Sequence, residues 1–395
     1  MNGESDLMSG EKQAVLHVCH SHAPPYTDVA RQYCALFPRD HWHIVTVFLT
    51  GEPVPNMAQR IGSDEVHFLG LDSRALRGLK LGPLRQLREL VRGRHFALAV
   101  AHRHKALYLC SLLPELFTLG VHHRPGGYRR RGRRWHVRRK RRRLALLGVS
   151  NDVRDDLRRD LPDFPPERIE TLYNRIDAEA LRKGLLSREQ ARLRLGLPPA
   201  THVFGNVGRL HPDKDQATLI RAFARVHKEL DGALLVLMGK GRLEAELKAL
   251  ARELGVAERV VFTGMVAEAW QYFQAFDSFV LSSDREPFGM VLLEAMVADL
   301  PIASAACGGA LEVVGETGLR FEFGRVDELA HCLRMLYGQS EAQRNAQCQR
   351  QWQRLEALFT DAAAARAFWQ LPVIQSLGLT PRPGGPAVAD SAEAP

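Results

Sequence analysis

From residue 15 onward, strand-like apolar runs alternate with helical ones, and this alternation is the strongest constraint on the fold. A strand followed by a helix and another strand builds a parallel sheet with helices against its faces. In the first half the pattern predicts strands at 15–19, 44–49, 65–69, 97–101, 119–122, 146–149 and 169–172. Helices are expected at 27–37, 81–92, 105–117 and 151–160. The pattern pauses near 176–186 and then restarts. Strands follow at 203–207, 233–238, 260–262, 278–281, 301–305 and 319–321, with helices at 216–229, 243–254, 270–276, 290–298, 310–314 and 326–337. The reading is an α/β protein of two open units, and 395 residues suffice for two sizeable cores. Residues 341–370 are strongly helical in composition, and the Pro-, Gly- and Ala-rich stretch 380–395 reads as a disordered tail.

No run of about 18 apolar residues occurs, so no transmembrane helix is expected. Residues 1–12 are polar and acidic and lack the apolar core of a signal peptide, which predicts a cytoplasmic protein. Six scattered cysteines without C-x-x-C pairs read as small buried residues in a reducing compartment, and no metal site is expected. The net charge of +9 is a local matter. Residues 124–143 hold twelve Arg or Lys and no acid, and the rest of the chain is slightly acidic.

Four segments in the second half carry chemistry. In Glu286-Pro-Phe-Gly-Met-Val-Leu-Leu-Glu294, two carboxylates flank a glycine turn that opens a helix. The unpaired N–H groups and dipole of a helix start favour phosphate. Glu294, inside the helix, leans back toward that start and reaches toward hydroxyls. In Gly205-Asn-Val-Gly208-Arg209-Leu-His-Pro-Asp-Lys214, two cations five residues apart can pinch a diphosphate, although a solvated loop is equally compatible. Gly239-Lys-Gly241 permits a tight turn and close backbone approach, or serves as a plain strand-to-helix turn. Cys307-Gly308-Gly309 opens a further helix after a strand. A diphosphate with hydroxyls on both sides is a nucleotide sugar.

The succession GNVGRLHPDKD, LMGKGR, VVFTGMV, SSDREPFGMVLLEAM and CGGALEVV resembles the nucleotide-binding half of retaining GT-B glycosyltransferases of the family 4 type, which carry an E-x7-E motif. The resemblance is strong over about 145–340 and extends to lipopolysaccharide core glycosyltransferases. It implies two Rossmann-like domains facing across a deep cleft: 1–178 for the acceptor and 179–354 for the nucleotide sugar, with helices at about 355–375 returning to the first. It implies that Arg209 and Lys214 bind the donor diphosphate and that Glu286 contacts donor sugar hydroxyls. Phe288, Gly289 and Met290 would offer backbone near the diphosphate, beside Gly208, Gly239 and Gly241. Glu294 would hold the ribose. Members act without an essential metal, and Lys214 would repel a cation from Asp213-Lys214-Asp215. No cofactor is implied beyond the nucleotide sugar as donor substrate. In the family a histidine after a later strand of the first domain faces the donor sugar, so His122 or His123 is the corresponding residue.

The first half departs from this pattern. After the first strand it reads His20-Ser-His22-Ala-Pro-Pro-Tyr26, with no glycine and a stiff Pro24-Pro25. His20, His22 and Tyr26 could line a cleft or be structural. His104 and Lys105 could bind an acidic acceptor or lie on the surface. The basic segment includes Arg129, Arg130, Arg133, Arg134, Arg138 and Arg139, and from Trp135 onward it can form a cationic helix with Trp135 and Val137 as sparse apolar contacts. Such a helix suits anionic lipid or a phosphorylated acceptor. Nucleic acid fits less well, because no nucleic-acid-binding signature accompanies the arginines. The expected activity is metal-independent hexosyl transfer, with UDP-hexose as the default donor. The expected partners are an anionic glycolipid of the lipopolysaccharide core and the cytoplasmic face of the inner membrane, and not nucleic acid. A nucleotide-sugar epimerase or hydrolase of the same fold and a non-catalytic Arg-rich binding protein are the rival classes.

Overall fold

A computed structural model of the chain describes residues 12–23 and 26–382. The expectations for residues 1–11, the Pro24-Pro25 loop and the tail from 383 onward lie outside the described residues. The chain divides into two units, Met1–Leu172 with Ala364–Pro395, and Tyr173–Ala363.

The first unit holds seven strands: β1 (Gln13–Cys19), β2 (Trp42–Phe48), β3 (Glu65–Phe68), β4 (Leu98–His102), β5 (Thr118–His122), β6 (Leu144–Gly148) and β7 (Ile169–Thr171). They pair in the order β3-β2-β1-β4-β5-β6-β7, every pair parallel. The second unit holds β8 (Val203–Val207), β9 (Leu234–Met238), β10 (Val260–Gly264), β11 (Ser278–Leu281), β12 (Ile302–Ala305) and β13 (Leu319–Phe321), ordered β10-β9-β8-β11-β12-β13 and again parallel. Strands β4, β5, β6, β9, β11 and β12 are buried throughout, as parallel strands covered on both faces must be. This is the doubly wound α/β architecture of GT-B proteins, once in each unit. Each sheet reverses its order beside its first strand, and ligands of such sheets sit outside the carboxyl ends of the strands at that point.

Several elements differ from the sequence expectation. The helix expected to 117 ends at Cys110 (Arg103–Cys110), because Pro114 and the left-handed Glu115, φ 59°, break the run. Residues 269–275 form a 3₁₀ helix and not an α-helix, with i to i+3 bonds from Gln271 N to Glu268 O and from Phe276 N to Phe273 O. The pause near 176–186 hides a helix, Ala178–Gly184, and a second, Arg188–Leu195, follows it. The apolar period of the second is masked by Arg192, which is buried and donates to Ala275 O, Pro198 O, Pro199 O and Asp277. The basic helix starts at Arg131 (Arg131–Lys140) and not at Trp135. It buries His136 and Val137, while Trp135 stands exposed.

The unit boundaries fall at 172/173 and 363/364, where the sequence reading has 178/179 and about 355. Ile176 N bonds Phe359 O and Arg175 pairs with Asp361, so both segments belong to the second unit. The helix Glu341–Leu358 stays there as well, since Gln347 and Gln351 donate to Ile302 O and Leu300 O. The return to the first unit occurs within the helix Asp361–Gln370, whose Trp369 donates to Leu36 O and stacks edge-on to Phe37.

Candidate functional site

In the second unit, β8 and β11 are neighbours at the reversal of strand order, and the loops leaving them carry Arg209, Lys214 and Glu286. Backbone and side chain tie these loops together. Asp284 N donates to Asp213 O at 3.1 Å, and Ser282 Oγ donates to Lys214 O at 2.9 Å. Lys214 Nζ then donates to Glu286 Oε2, with Ser283 Oγ at 3.5 Å from the same oxygen. The sequence reading gives Lys214 to phosphate and Glu286 to sugar, and the structure pairs the two directly. The Lys214 and Glu286 side chains are 17% and 12% exposed, so the ion pair is mostly desolvated and still reachable.

Arg209 is different. Its side chain is 70% exposed and makes a 3.3 Å contact with Asp213. An exposed pair of that kind is worth under about 1 kcal/mol and exchanges readily for a better anion. Asp213 also accepts from His211, and Asp215 caps the next helix by accepting from Thr218 N. Both carboxylates of Asp213-Lys214-Asp215 are therefore engaged within the protein.

Gly289, φ 103°, caps the helix Met290–Val297, and no side chain caps that start. A Cβ at Gly309 would stand 2.4 Å from Pro287 O and 2.5 Å from Phe288 Cα. Glycine there lets the start of the Gly308–Val314 helix press against the 287–288 backbone, and Gly309 N donates to Glu286 O at 2.8 Å. Two helix starts thus meet at the Glu286 loop. The Phe288 side chain is in the core against Tyr173 and Phe359, so only its backbone faces the loop. Met290 and Glu294 are half-buried, Glu294 in the second turn. Cys307 donates to Ser283 O, and burial, reinforced by Glu286, pushes its thiol up to about 11.

The glycines 239 and 241 serve close approach, but to the protein itself. A Cβ at Gly239 would lie 1.9 Å from Gly208 O, and one at Gly241 would lie 2.1 Å from Leu210 O. The loop after β9 is laid on the loop after β8 through Gly208 N to Met238 O and Leu210 N to Lys240 O. Gly208 lies under the Lys214 stem. These glycines position the Arg209–Lys214 loop.

The first unit gathers histidines at the carboxyl ends of β1, β4 and β5. A hydrogen-bonded chain, buried as far as His102, runs from Ser63 Oγ to Thr46 Oγ1 (2.9 Å), His17 Nδ1 (3.3 Å), His102 (2.8 Å from His17 Nε2) and half-buried His123 (3.1 Å from His102 Nδ1). Burial pushes His17 down to about 3 and His123 down to about 4. His122 Nε2 meets Tyr128 Oη at 3.1 Å, and burial pushes this imidazole down to about 3. His17, Cys19 and His102 bring three metal-ligand atoms within 4.8 Å of one another, a group with no metal-binding spacing in the sequence. Direct hydrogen bonding between the two imidazoles accounts for it. The chain His17–His102–His123 and Tyr128 are absent from the sequence reading. Burial of a polar residue on a strand leaves no periodic signal.

Both His122 and His123 line a cavity of about 220 Å³ shared with Arg103, His104, Arg124 and Arg133. His20 is half-buried, and burial, then Lys105 and Arg103, push it down. His22 packs edge-on to Phe48 and Phe68 over Gly51, a structural place, and Arg103 lies over the Tyr26 ring. Among the remaining basic residues, Arg129, Arg130 and Arg139 are exposed, Arg134 is half-buried, Arg138 pairs with Asp163, and Arg139 stacks over Trp135. A larger cavity of about 480 Å³ in the second unit is lined by residues between 316 and 350 and by none of the loops above.

Known proteins resemble the chain in sequence over part of its length and in fold. Residues 187–351 match the family Glycosyl transferases group 1. The chain is 34% identical over 177 residues to the GDP-mannose-dependent alpha-(1-6)-phosphatidylinositol monomannoside mannosyltransferase of Mycobacterium tuberculosis, covering 42% of this chain and 46% of that one. It is 32% identical over 182 residues to the lipopolysaccharide core biosynthesis glycosyltransferase LpsE of Rhizobium meliloti, covering 46% of this chain and 52% of that one. The matches span about half the length of these relatives. Among solved structures, Anabaena Alr3699/HepE in complex with UDP and glucose superposes with a TM-score of 0.72 at 20% identity, over 92% of this chain and 100% of that one. The loops that carry Arg209, Lys214, Glu286 and Gly309 thus lie within the stretch that matches Glycosyl transferases group 1, and that stretch spans most of the second unit.

Proposed function

We propose that the protein transfers a hexose from a nucleotide diphosphate sugar to an anionic, membrane-associated glycolipid, with retention of anomeric configuration. The observation that carries this reading is the Lys214–Glu286 pair, which joins the loops after β8 and β11 beside two helix starts. Arg209 and Lys214 take the diphosphate, Glu286 turns to sugar hydroxyls, and Glu294 holds the ribose. As the bond from the anomeric carbon to phosphate oxygen breaks, the cations and helix dipoles balance the charge left on the diphosphate, the task a metal ion performs elsewhere. The acceptor hydroxyl attacks the same face, and its proton passes to the departing phosphate oxygen. UDP is the first donor base to test, because a similar fold binds UDP, and GDP the second, because a relative is GDP-mannose-dependent.

The acceptor half of the reading rests on the Arg131–Lys140 helix, where exposed Trp135 stands among arginines. An amphipathic tip amid cations suits the surface of an anionic bilayer. Lipopolysaccharide core is the acceptor of choice, since a relative builds it. None of the described helices is long and apolar enough to cross a membrane, so this surface would be the contact. The test is incubation with UDP-glucose or GDP-mannose and truncated lipopolysaccharide in anionic vesicles. We expect acceptor-dependent sugar transfer with the α-linkage of the donor kept. Donor hydrolysis or epimerisation without acceptor, or a product of inverted configuration, would overturn the reading.

A further inference from the structure

The cavity in the first unit has an unusual charge balance. Its six functional side chains are Arg103, His104, His122, His123, Arg124 and Arg133, and no carboxylate is among the residues that line it. The cations arrive from three segments: the start of the Arg103–Cys110 helix, the 124–127 turn, and the first turn of the Arg131–Lys140 helix. Neither helix has an acidic residue in its first turn or a side-chain cap. Cations at a helix start oppose the dipole, and here two helices place them there. Arg103 is also held left-handed at φ 70°, a strained state for an arginine.

The polar groups are organised. Arg133 Nη1 donates to Gly127 O at 3.0 Å, and Asp156 accepts from Gly126 N, which fixes the turn. His104 Nδ1 is buried with no hydrogen-bond partner. Burial first, then the neighbouring charges, push His104 and His122 down to about 3, so both imidazoles are neutral and the charge is carried by arginine. When Tyr128 donates to His122 Nε2, the other ring N–H of His122 faces Gly127 in the cavity wall. Charged forks and neutral N–H donors together match an oxyanion with several oxygens.

We propose that this cavity is a subsite for a phosphate monoester carried by the acceptor. The proposal rests on the reading of the chain as a transferase that acts on an anionic acceptor. A cavity of about 220 Å³ is smaller than the roughly 300 Å³ at which pockets enclose a whole drug-sized ligand. It therefore receives a group and not the whole acceptor. Three arginines lining one small cavity favour a dianionic phosphate over a carboxylate, which one fork satisfies.

The test is calorimetric titration of the full chain at low ionic strength with glucose 6-phosphate, inorganic phosphate, glucose and UDP. Glucose 6-phosphate and phosphate should bind, and glucose should not. Arg124→Gln and Arg133→Gln should each weaken phosphate binding at least tenfold, and UDP binding should stay within twofold. Binding of inorganic phosphate with no binding of glucose 6-phosphate would overturn the monoester assignment. Equal binding of glucose and glucose 6-phosphate, or phosphate binding unchanged in both variants, would overturn the subsite. Loss of UDP binding in the unmodified protein would instead sink the donor reading, so the two failures are separable.

Discussion

Lys214→Ala is the most informative change in the second unit, because it acts on stability and on binding by different routes. In the folded protein Lys214 balances Glu286, whose side chain is 12% exposed and otherwise has Ser283 Oγ at 3.5 Å. Removing one partner of a fully buried pair costs about 3–5 kcal/mol, and of an exposed pair under about 1 kcal/mol. At this intermediate burial we expect a loss of ~2 kcal/mol in urea unfolding. The double variant Lys214→Ala/Glu286→Gln leaves no lone carboxylate and should regain most of that loss. Binding should behave otherwise. A charge-assisted hydrogen bond to phosphate is worth about 1.5–3 kcal/mol, so Lys214→Ala should weaken UDP binding roughly ten- to a hundredfold. The double variant should not recover it. Glu286→Gln alone removes the carboxylate that competes with phosphate for Lys214, so UDP should bind that variant no more weakly than the unmodified protein. The readouts are urea denaturation and calorimetric titration of the three variants. UDP binding unchanged in Lys214→Ala, or weakened as much in Glu286→Gln, would refute the division of roles between cation and carboxylate.

Two further outcomes follow from groups remote from these loops. Asp277 accepts from Val203 N, Arg188 and Arg192, and Arg192 is only 2% exposed, so Asp277→Asn leaves a buried guanidinium with its carbonyl partners but without its counter-charge. It should cost ~3 kcal/mol in urea unfolding, with UDP affinity of the folded protein unchanged; a loss under 1 kcal/mol would show the pair to be dispensable. His17 and His122 are pushed from 6.5 down to about 3 by burial, so the unfolded chain binds protons that the native one refuses. Stability should be flat above about pH 7 and fall as pH drops through 6.5 toward 3, by ~2 kcal/mol per histidine at pH 5; a stability equal at pH 7 and pH 5 would contradict the buried, neutral assignment.

Much of the second unit was readable in advance, for a local reason. Helix starts, glycine turns and loop cations act within a few residues of one another, so the Gly205–Lys214 and Glu286–Glu294 segments show their chemistry in order. The capped starts Asp177 and Ser187-x-x-Gln190 were equally local, but the first helix is short and buries only Ala178, the apolar period of the second is broken by buried Arg192, and both were missed. The glycines 239 and 241 were read as a plain strand-to-helix turn or as a place of close approach to a ligand. What they approach is the Gly208–Leu210 backbone, a partner that only strand order brings near.

The sequence alone determined that the chain is α/β in two units, that glycine-rich loops with cations and carboxylates lie in the second, and that charge concentrates in residues 124–143. Each follows from patterns spanning a few residues: side-chain period, glycine placement and density of arginine. Tertiary structure decided what no local pattern encodes. Strand order placed β8 beside β11 and so set Lys214 against Glu286, seventy-two residues later. It joined His17 of β1, His102 of β4 and His123 just after β5 into one hydrogen-bonded chain. It also brought Arg103 to the cavity lined by Arg124 and Arg133, two residues that composition could describe only as part of a basic stretch. Parallel crossovers separate neighbours in space by tens of residues in sequence, so these pairings exist only once the sheets are assembled.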